Sequence, residues 1–275
     1  MAPAAFTSLG TNAKELLYGA KTGKFQYEKV LNLSSKTADG VDFSVTAVGK
    51  DDKLEMALKA AYAANKYNVV ATMGQSGKLA VAVSYKELAP GLNLGIAGTV
   101  PDPDSGKLSV DYANTHANLK SLGAPTPPAQ GEAATHPRVE GLTVGGEASY
   151  DTAKSAVTKW TVGLGYTASD YQAALLYNDK QAATALVAHK VTGDTTIGAE
   201  VVRDLAAGTT TFATGVSKQL EGGALTKLKL DNAGIVSVLY EQELKAKTRL
   251  AVSGQFSALD LNKPPRFGFG YDIKY

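Results

Sequence analysis

Three histidines, one glycine stretch ending in lysine and a few close acids are the residues whose types invite chemistry. His116, His136 and His189 lie far apart with no ligand spacing, so local sequence gathers no metal site. "GAKTGK", residues Gly19–Lys24, has the outline of a phosphate loop. It is one residue short, lacks Ser or Thr after the lysine and follows no strand, so it reads as a flexible connector. "GLNLGIAG" has the wrong glycine spacing for a dinucleotide fingerprint. Asp102 and Asp104 fall in a turn-like stretch, where Asp stabilises the bend. Neither a nucleophile elbow nor a histidine-anchored triad is visible. Cysteine is absent, which removes disulfide and thiolate chemistry. Neither an enzyme nor a cofactor is expected.

Lys14 and Glu15 are more informative. In "TSLGTNAKELLYGAKTG", Leu9, Ala13, Leu16 and Leu17 share one face of a predicted helix, with Lys14 and Glu15 off it. Ser8 or Thr11 is expected to cap it, and Gly19 and Gly23 to end it and provide a hinge. The two charges fit a solvated helix face. They equally fit a short helix inside a wide pore, where it narrows the passage and adds charge.

The elements around that helix are strands. "WTVGLGYTA" sets Trp160, Val162, Leu164 and Tyr166 against Thr161, Gly163, Gly165 and Thr167. "GLTVGGEASY", "RLAVSGQF" and the final "RFGFGYDIKY" alternate in the same way, and "KFQYEKVLNL" predicts a first strand from Lys24. Short turn clusters such as "TADG", "QSGK", "YNDK" and "LDNAG" separate the runs, as antiparallel hairpins require. "KLEMALKAAYAANKYNV" is Ala-rich but sits where strands are due, and is assigned to strand. "GAPTPPAQGEAATHP", residues 123–137, reads as a long exposed loop.

At roughly 13 residues per strand and turn, residues 24–275 hold about nineteen strands. An open sheet of that size is unusual, closure removes its edges, and a closed barrel of that size leaves a water channel. The 28 glycines, many inside strands, suit a curved inner wall. The predicted division is a helix and glycine hinge over 1–23 and an antiparallel β-barrel over 24–275. A soluble β-sandwich or ligand-binding barrel stays open, because alternation alone does not say whether the oily face meets lipid or a core. The net charge of +2 does not point to nucleic acid as the main partner. No stretch approaches the roughly 20 apolar residues of a membrane helix, and the N-terminal residues lack a secretory pattern.

Several segments carry a family resemblance over almost the whole length. "SLGTNAKELLYGAKTG" resembles the N-terminal helix and glycine hinge of the eukaryotic mitochondrial porins, the voltage-dependent anion channels, and is most similar to plant or algal members. "SYDTAKSAVTKWTVGLGY" resembles one of their hairpins. "KLDNAGIVSVLYEQEL" resembles the second half of the family signature, in Lys229, Leu230, Asp231, Asn232, Ser237, Val238 and Tyr240. Glu221 stands where an Asp is usual, and Asn93 where a Lys is. Arg266, Gly268, Tyr271 and Ile273 fit the terminal insertion signal of mitochondrial barrels.

The resemblance implies a nineteen-stranded transmembrane barrel with one parallel closing pair and the helix lodged in the lumen. It implies a voltage-gated, weakly anion-selective channel of the mitochondrial outer membrane that passes small ions and metabolites, including ATP and ADP. Lys14, Glu15, Lys24 and Lys274 are then the expected pore-lining charges, and Gly19 and Gly23 the hinge. Implied partners are membrane lipid, permeating anions and nucleotides, a homo-oligomer and cytosolic docking proteins. The related outer-membrane protein-import pore is the alternative, with a longer N-terminal extension expected there.

Overall fold

The computed structural model describes residues 5–19, 23–50, 53–114, 117–123, 129–135, 141–151 and 156–275. The chain starts with a 3-10 turn at Phe6–Ser8 and helix α1 (Thr11–Leu17). Strands β1 (Lys29–Lys36), β2 (Val41–Lys50), β3 (Lys53–Ala63), β4 (Tyr67–Gly74), β5 (Leu79–Ala89) and β6 (Leu92–Val100) follow. Next come β7 (Asp102–Ala113), β8 (Ala117–Gly123), β9 (Ala129–Thr135), β10 (Leu142–Asp151), β11 (Ala156–Thr167) and β12 (Tyr171–Asn178). The last are β13 (Ala182–Lys190), β14 (Thr195–Asp204), β15 (Thr209–Gln219), β16 (Leu225–Asp231), β17 (Ile235–Lys245), β18 (Thr248–Ser257) and β19 (Arg266–Lys274).

Each strand pairs antiparallel with its successor, and β1 closes on β19 in parallel, from Lys29 opposite Phe269 to Ser34 opposite Lys274. Hairpins reverse direction each time, so an odd count leaves first and last strands pointing the same way. The result is a closed 19-stranded barrel.

Paired residues lie on the same face, and one face can be followed round the whole wall. Gly163 lies opposite Gly145 and Leu176, Gly198 opposite Ala188 and Gly215, and Ser253 opposite Leu239 and Gly268. This inner face is mostly small or polar, with a few leucines such as Leu176, Leu186 and Leu239. The outer face is large and apolar: Ile96 is 65% exposed and Phe267 72% exposed. A water-soluble barrel would bury such a continuous band, so its solvent is hydrocarbon. Tilted aromatic pairs sit beside the strand ends: Tyr62–Tyr67, Trp160–Tyr177 and Tyr166–Tyr171, with ring centroids 6.0, 5.8 and 5.6 Å apart. Such amphipathic rings suit the interface between hydrocarbon and water. No helix among the described residues is long and apolar enough to cross a membrane.

The final "RFGFGYDIKY" resolves as the alternation implies. Phe267, Phe269, Tyr271 and Ile273 share the outer face with Val252 and Leu250, while Gly268, Gly270 and Asp272 share the inner face with Ser253, Ala251 and Arg249. The Ala-rich stretch forms β3 and the start of β4, as assigned.

Four expectations need correction. The loop read over 123–137 contains β9, which pairs with both neighbours, Glu132 lying opposite Lys120 and Glu147. Its alanines and glycine gave no apolar alternation, yet the backbone bonds of two flanking strands hold it as strand; His136 lies outside the described residues. The first strand begins at Lys29, not Lys24. Gln26 turns inward instead, its N–H donating to Ser253 Oγ at 3.2 Å. Neither Ser8 nor Thr11 caps α1: the cap position is Gly10, at φ +69° with no side-chain bond. The hydroxyl of Ser8 donates to the Ala5 carbonyl at 2.6 Å and that of Thr11 to the Ser8 carbonyl at 2.8 Å, bracing the preceding turn. Asp102, expected in a turn, opens β7.

Charge placed on the outer face should therefore destabilise insertion. Ile96→Lys is expected to cost about 2–4 kcal/mol in equilibrium refolding into lipid vesicles. Ala97→Lys, one residue along and facing the lumen, should cost far less.

Candidate functional site: the helix on the pore wall

The candidate site is built where the N-terminal segment meets the inner face of β9–β17. Helix α1 has three apolar residues on one side, and the wall below it is glycine and alanine around Leu186 and Leu176. A Cβ at Gly165 would lie 2.5 Å from Leu9 Cδ2, one at Gly145 3.0 Å from Phe6, and one at Gly215 2.8 Å from Leu16 Cδ2. The close approach buries Phe6, Leu9, Ala13, Leu16 and Leu17 against Leu186, Ala188, Ala174 and Ala213. Full burial of a Leu or Phe side chain is worth about 1.5–3 kcal/mol, so the seat is held by several kcal/mol before any polar contact. The Asn12 N–H donates to Gln172 Oε1 at 3.0 Å, fixing the helix along the wall.

The far end of the helix is held by charge. Lys227, on β16 and only 5% exposed, donates from Nζ to the Glu15 carbonyl at 2.7 Å and the Gly23 carbonyl at 3.0 Å. The last carbonyls of a helix lack intrahelical partners and carry partial negative charge, which a lysine satisfies. Gly23 is bound on its other side too, its N–H donating to Glu241 Oε2 at 3.0 Å. Glu241 in turn meets Arg249 at 3.1 Å. Tyr18 follows the helix. Lys229 Nζ lies 4.1 Å from its ring centroid, a cation–π contact. Burial, then the Glu200 carboxylate that accepts its hydroxyl, push the Tyr18 phenol well above its ordinary pKa.

The sequence-predicted residues are spread over the pore rather than gathered. Lys14 is exposed on the flank of the helix beside the buried face of Ala13 and Leu17, and Glu15 is half-buried. Lys24 lies exposed near Arg266 at one rim, while Lys274 ends β19 at the other, on the inner face. Gly19 and Gly23 both have positive φ, +63° and +62°, and a Cβ on Gly19 would sit 2.5 Å from the Gly23 carbonyl oxygen. Residues 20–22 lie outside the described residues. In β19, Arg266 and Gly268 face inward, and Tyr271 and Ile273 outward.

Sequence reasoning missed Lys227, Glu200, Glu241 and Arg249. A signal existed in "LTKLKLD", whose alternation puts Lys227 and Lys229 on the inner face together. Nothing in that spacing says that one of them is buried beneath a helix residue 212 positions away in sequence.

The molecule is a wide barrel with a helix strapped to its inner wall. The eukaryotic porin family model matches residues 2–270. The chain belongs to the eukaryotic porins. It is 28% identical to "Mitochondrial outer membrane protein porin 4" of Arabidopsis thaliana, over 99% of this chain and 98% of that one. It is likewise 28% identical to porin 6 of Oryza sativa subsp. japonica, with the same coverage. Among solved structures, a mutant of Rh. blastica porin aligns at TM-score 0.50 and 10% identity, covering 89% of this chain and 94% of the other. That last likeness concerns the barrel fold alone. This porin is a voltage-dependent anion channel of the mitochondrial outer membrane, a passage for ions and metabolites in contact with membrane lipid.

The Lys227 contacts predict a measurable helix stability. Lys227→Met should strip two carbonyls of their donor and raise hydrogen exchange of the α1 amides by roughly tenfold or more, since hydrogen bonds to charged groups contribute about 1.5–3 kcal/mol. Unchanged protection would show that the apolar seat alone holds the helix.

Proposed function

We propose that ATP and ADP are among the metabolites that cross this lumen, and that their passage is passive, with no catalysed reaction. A nineteen-stranded wall is too wide to fill with its own side chains, so solutes cross hydrated and wall charge sets a modest selectivity. One observation carries the reading: α1 is docked within the barrel with Lys14 exposed. The inner wall around it carries charge of both signs, Lys59, Lys107, Lys120, Lys159 and Lys190 among the cations and Glu55, Asp111, Glu147 and Glu200 among the anions. Mixed charge gives a weak preference, and Lys14, Lys24 and Lys274 tilt it toward anions, with Glu15 opposing.

Gating, in this reading, pivots at Gly19 and Gly23. Freeing Gly23 means breaking its bonds to Lys227 and Glu241. At about 1.5–3 kcal/mol for each charged hydrogen bond, that is roughly 3–6 kcal/mol. A field does about 2.3 kcal/mol of work per elementary charge per 100 mV, so two or three displaced charges suffice. Arg266, Gly268, Tyr271 and Ile273 serve as the insertion signal, supported by the exposed apolar parity of β19.

Reversal potentials in asymmetric salt test the charge assignment. Lys14→Glu together with Lys24→Glu should move the reversal potential toward that of an unselective or cation-preferring pore; no movement would overturn the role of those two residues. Lys227→Gln should lower the voltage at which the conductance falls, with the fully open conductance little changed. An ATP flux from loaded liposomes no greater than that from protein-free ones would overturn the nucleotide reading.

A further inference from the structure

The barrel wall has a notch where it closes. Strand β1 starts at Lys29, opposite Gly49 and Phe269, but β2 continues to Lys50 and β19 begins earlier, at Arg266. The wall bonding of β1 to β19 ends where the Phe269 N–H donates to the Glu28 carbonyl at 3.0 Å. Before that point the chain steps into the lumen. The Gln26 backbone lies so close over Gly268 that any Cβ there would collide with it. Two strand edges are thus left apart at one rim, with no strand between them.

Two adjoining cavities occupy this seam. One, of about 1200 Å³, is lined from both faces of the wall: Arg266 and Lys53 belong to the lumen face, Phe267 and Leu54 to the outer face. The other, of about 680 Å³, is a groove on the outer face between Leu31, Ala47, Leu54, Phe269 and Tyr271. Lys29, Val30, Gly49 and Leu54 line both. Gly49 deepens the groove, since a Cβ there would meet only Lys29, at 3.6 Å.

The charge in the notch is one-sided. Lys24, Lys29, Lys50, Lys53 and Arg266 stand there with Glu28 as the one carboxylate among the described lining residues, 3.4 Å from Lys50. Lys29 also shares the outer face with Phe269, level with apolar wall rather than beyond it. A lysine at that depth is costly unless its ammonium reaches an anion or water at the rim. Apolar wall below and basic side chains above form the complement of one amphiphile with a negative headgroup.

We infer that this notch is a binding site for an anionic phospholipid, its phosphate held by Lys29 and Arg266 and its acyl chains lying in the groove over Leu31, Ala47 and Phe269. The lipid covers the stretch of wall that β1 does not reach. It also places a negative charge beside Lys24, at the rim where permeating anions enter.

Native mass spectrometry of the detergent-solubilised barrel tests this, with dioleoyl phosphatidylglycerol and dioleoyl phosphatidylcholine as probes. The wild-type chain should retain phosphatidylglycerol about tenfold better. Lys29→Gln and Arg266→Gln should each cut that preference roughly fivefold, the size of one surface lysine or arginine contribution to anionic-lipid attraction. Lys218→Gln, near the opposite rim at the end of β15, should leave it unchanged. Gly49→Leu, which fills the groove without altering charge, should reduce retention of both lipids. Equal retention of the two lipids by the wild-type chain would overturn the proposal. So would displacement of the lipid by glycerol 3-phosphate at matched concentration, which would make this a site for soluble anions. Efficient disulfide dimerisation of Lys29→Cys in lipid vesicles, in a chain with no other cysteine, would give the groove to a second copy instead.

Discussion

In hydrocarbon, no water is present to satisfy a backbone N–H or C=O, and every other feature of this barrel follows from that constraint. Each strand must be bonded on both edges, so the sheet has to close. Nineteen strands joined by hairpins close only through a parallel pair, and β1 on β19 is that pair. The ladder runs from Lys29 to Ser34 and ends where the chain turns inward at Glu28. The inward turn is what allows the N-terminal segment to reach the lumen at all. The notch at the rim is the geometric consequence, since a chain cannot be in the wall and inside it at the same height.

Closure then divides the side chains into two solvents. The outer parity meets lipid and bears Ile96, Leu164, Val252 and Phe269, all exposed. The inner parity meets water, and there glycine and alanine do two jobs. They relieve crowding on the concave side, and over β10–β15 they form the shallow bed that seats Phe6, Leu9 and Leu16. A helix of seven residues would not persist alone in water, because so few bonds cannot offset nucleation. Its stability is borrowed from the wall. Lys227 and Glu241 add a polar clamp at its far end, where charge in a partly desolvated pocket is worth more than on a surface.

Particular residues show how far the sequence could be read. Trp160, Val162, Leu164 and Tyr166 against Gly163 and Gly165 revealed a strand, its two faces and the curvature of the wall. Leu9, Ala13, Leu16 and Leu17 revealed the helix and its buried side. The stretch Ala129–Thr135 did not reveal its strand, because "AQGEAAT" has too little apolar content to alternate. It is strand because β8 and β10 flank it with unsatisfied backbone groups. The start of β1 was misplaced for the converse reason: Phe25 and Tyr27 alternate as a strand would, yet the parallel seam leaves them no place in the wall.

The amino-acid sequence by itself determined the repeating two-faced strands, their approximate number and the amphipathic helix, because all three depend on spacings of two or about four residues. It also carried the family. What only the tertiary structure decided is which distant residues meet. Lys227 under Glu15 and Gly23, Leu9 over Gly165, and Lys29 opposite Phe269 are each separated by more than 150 positions. Such pairs are set by the circumference and register of a closed wall, and neither quantity is encoded in any local pattern.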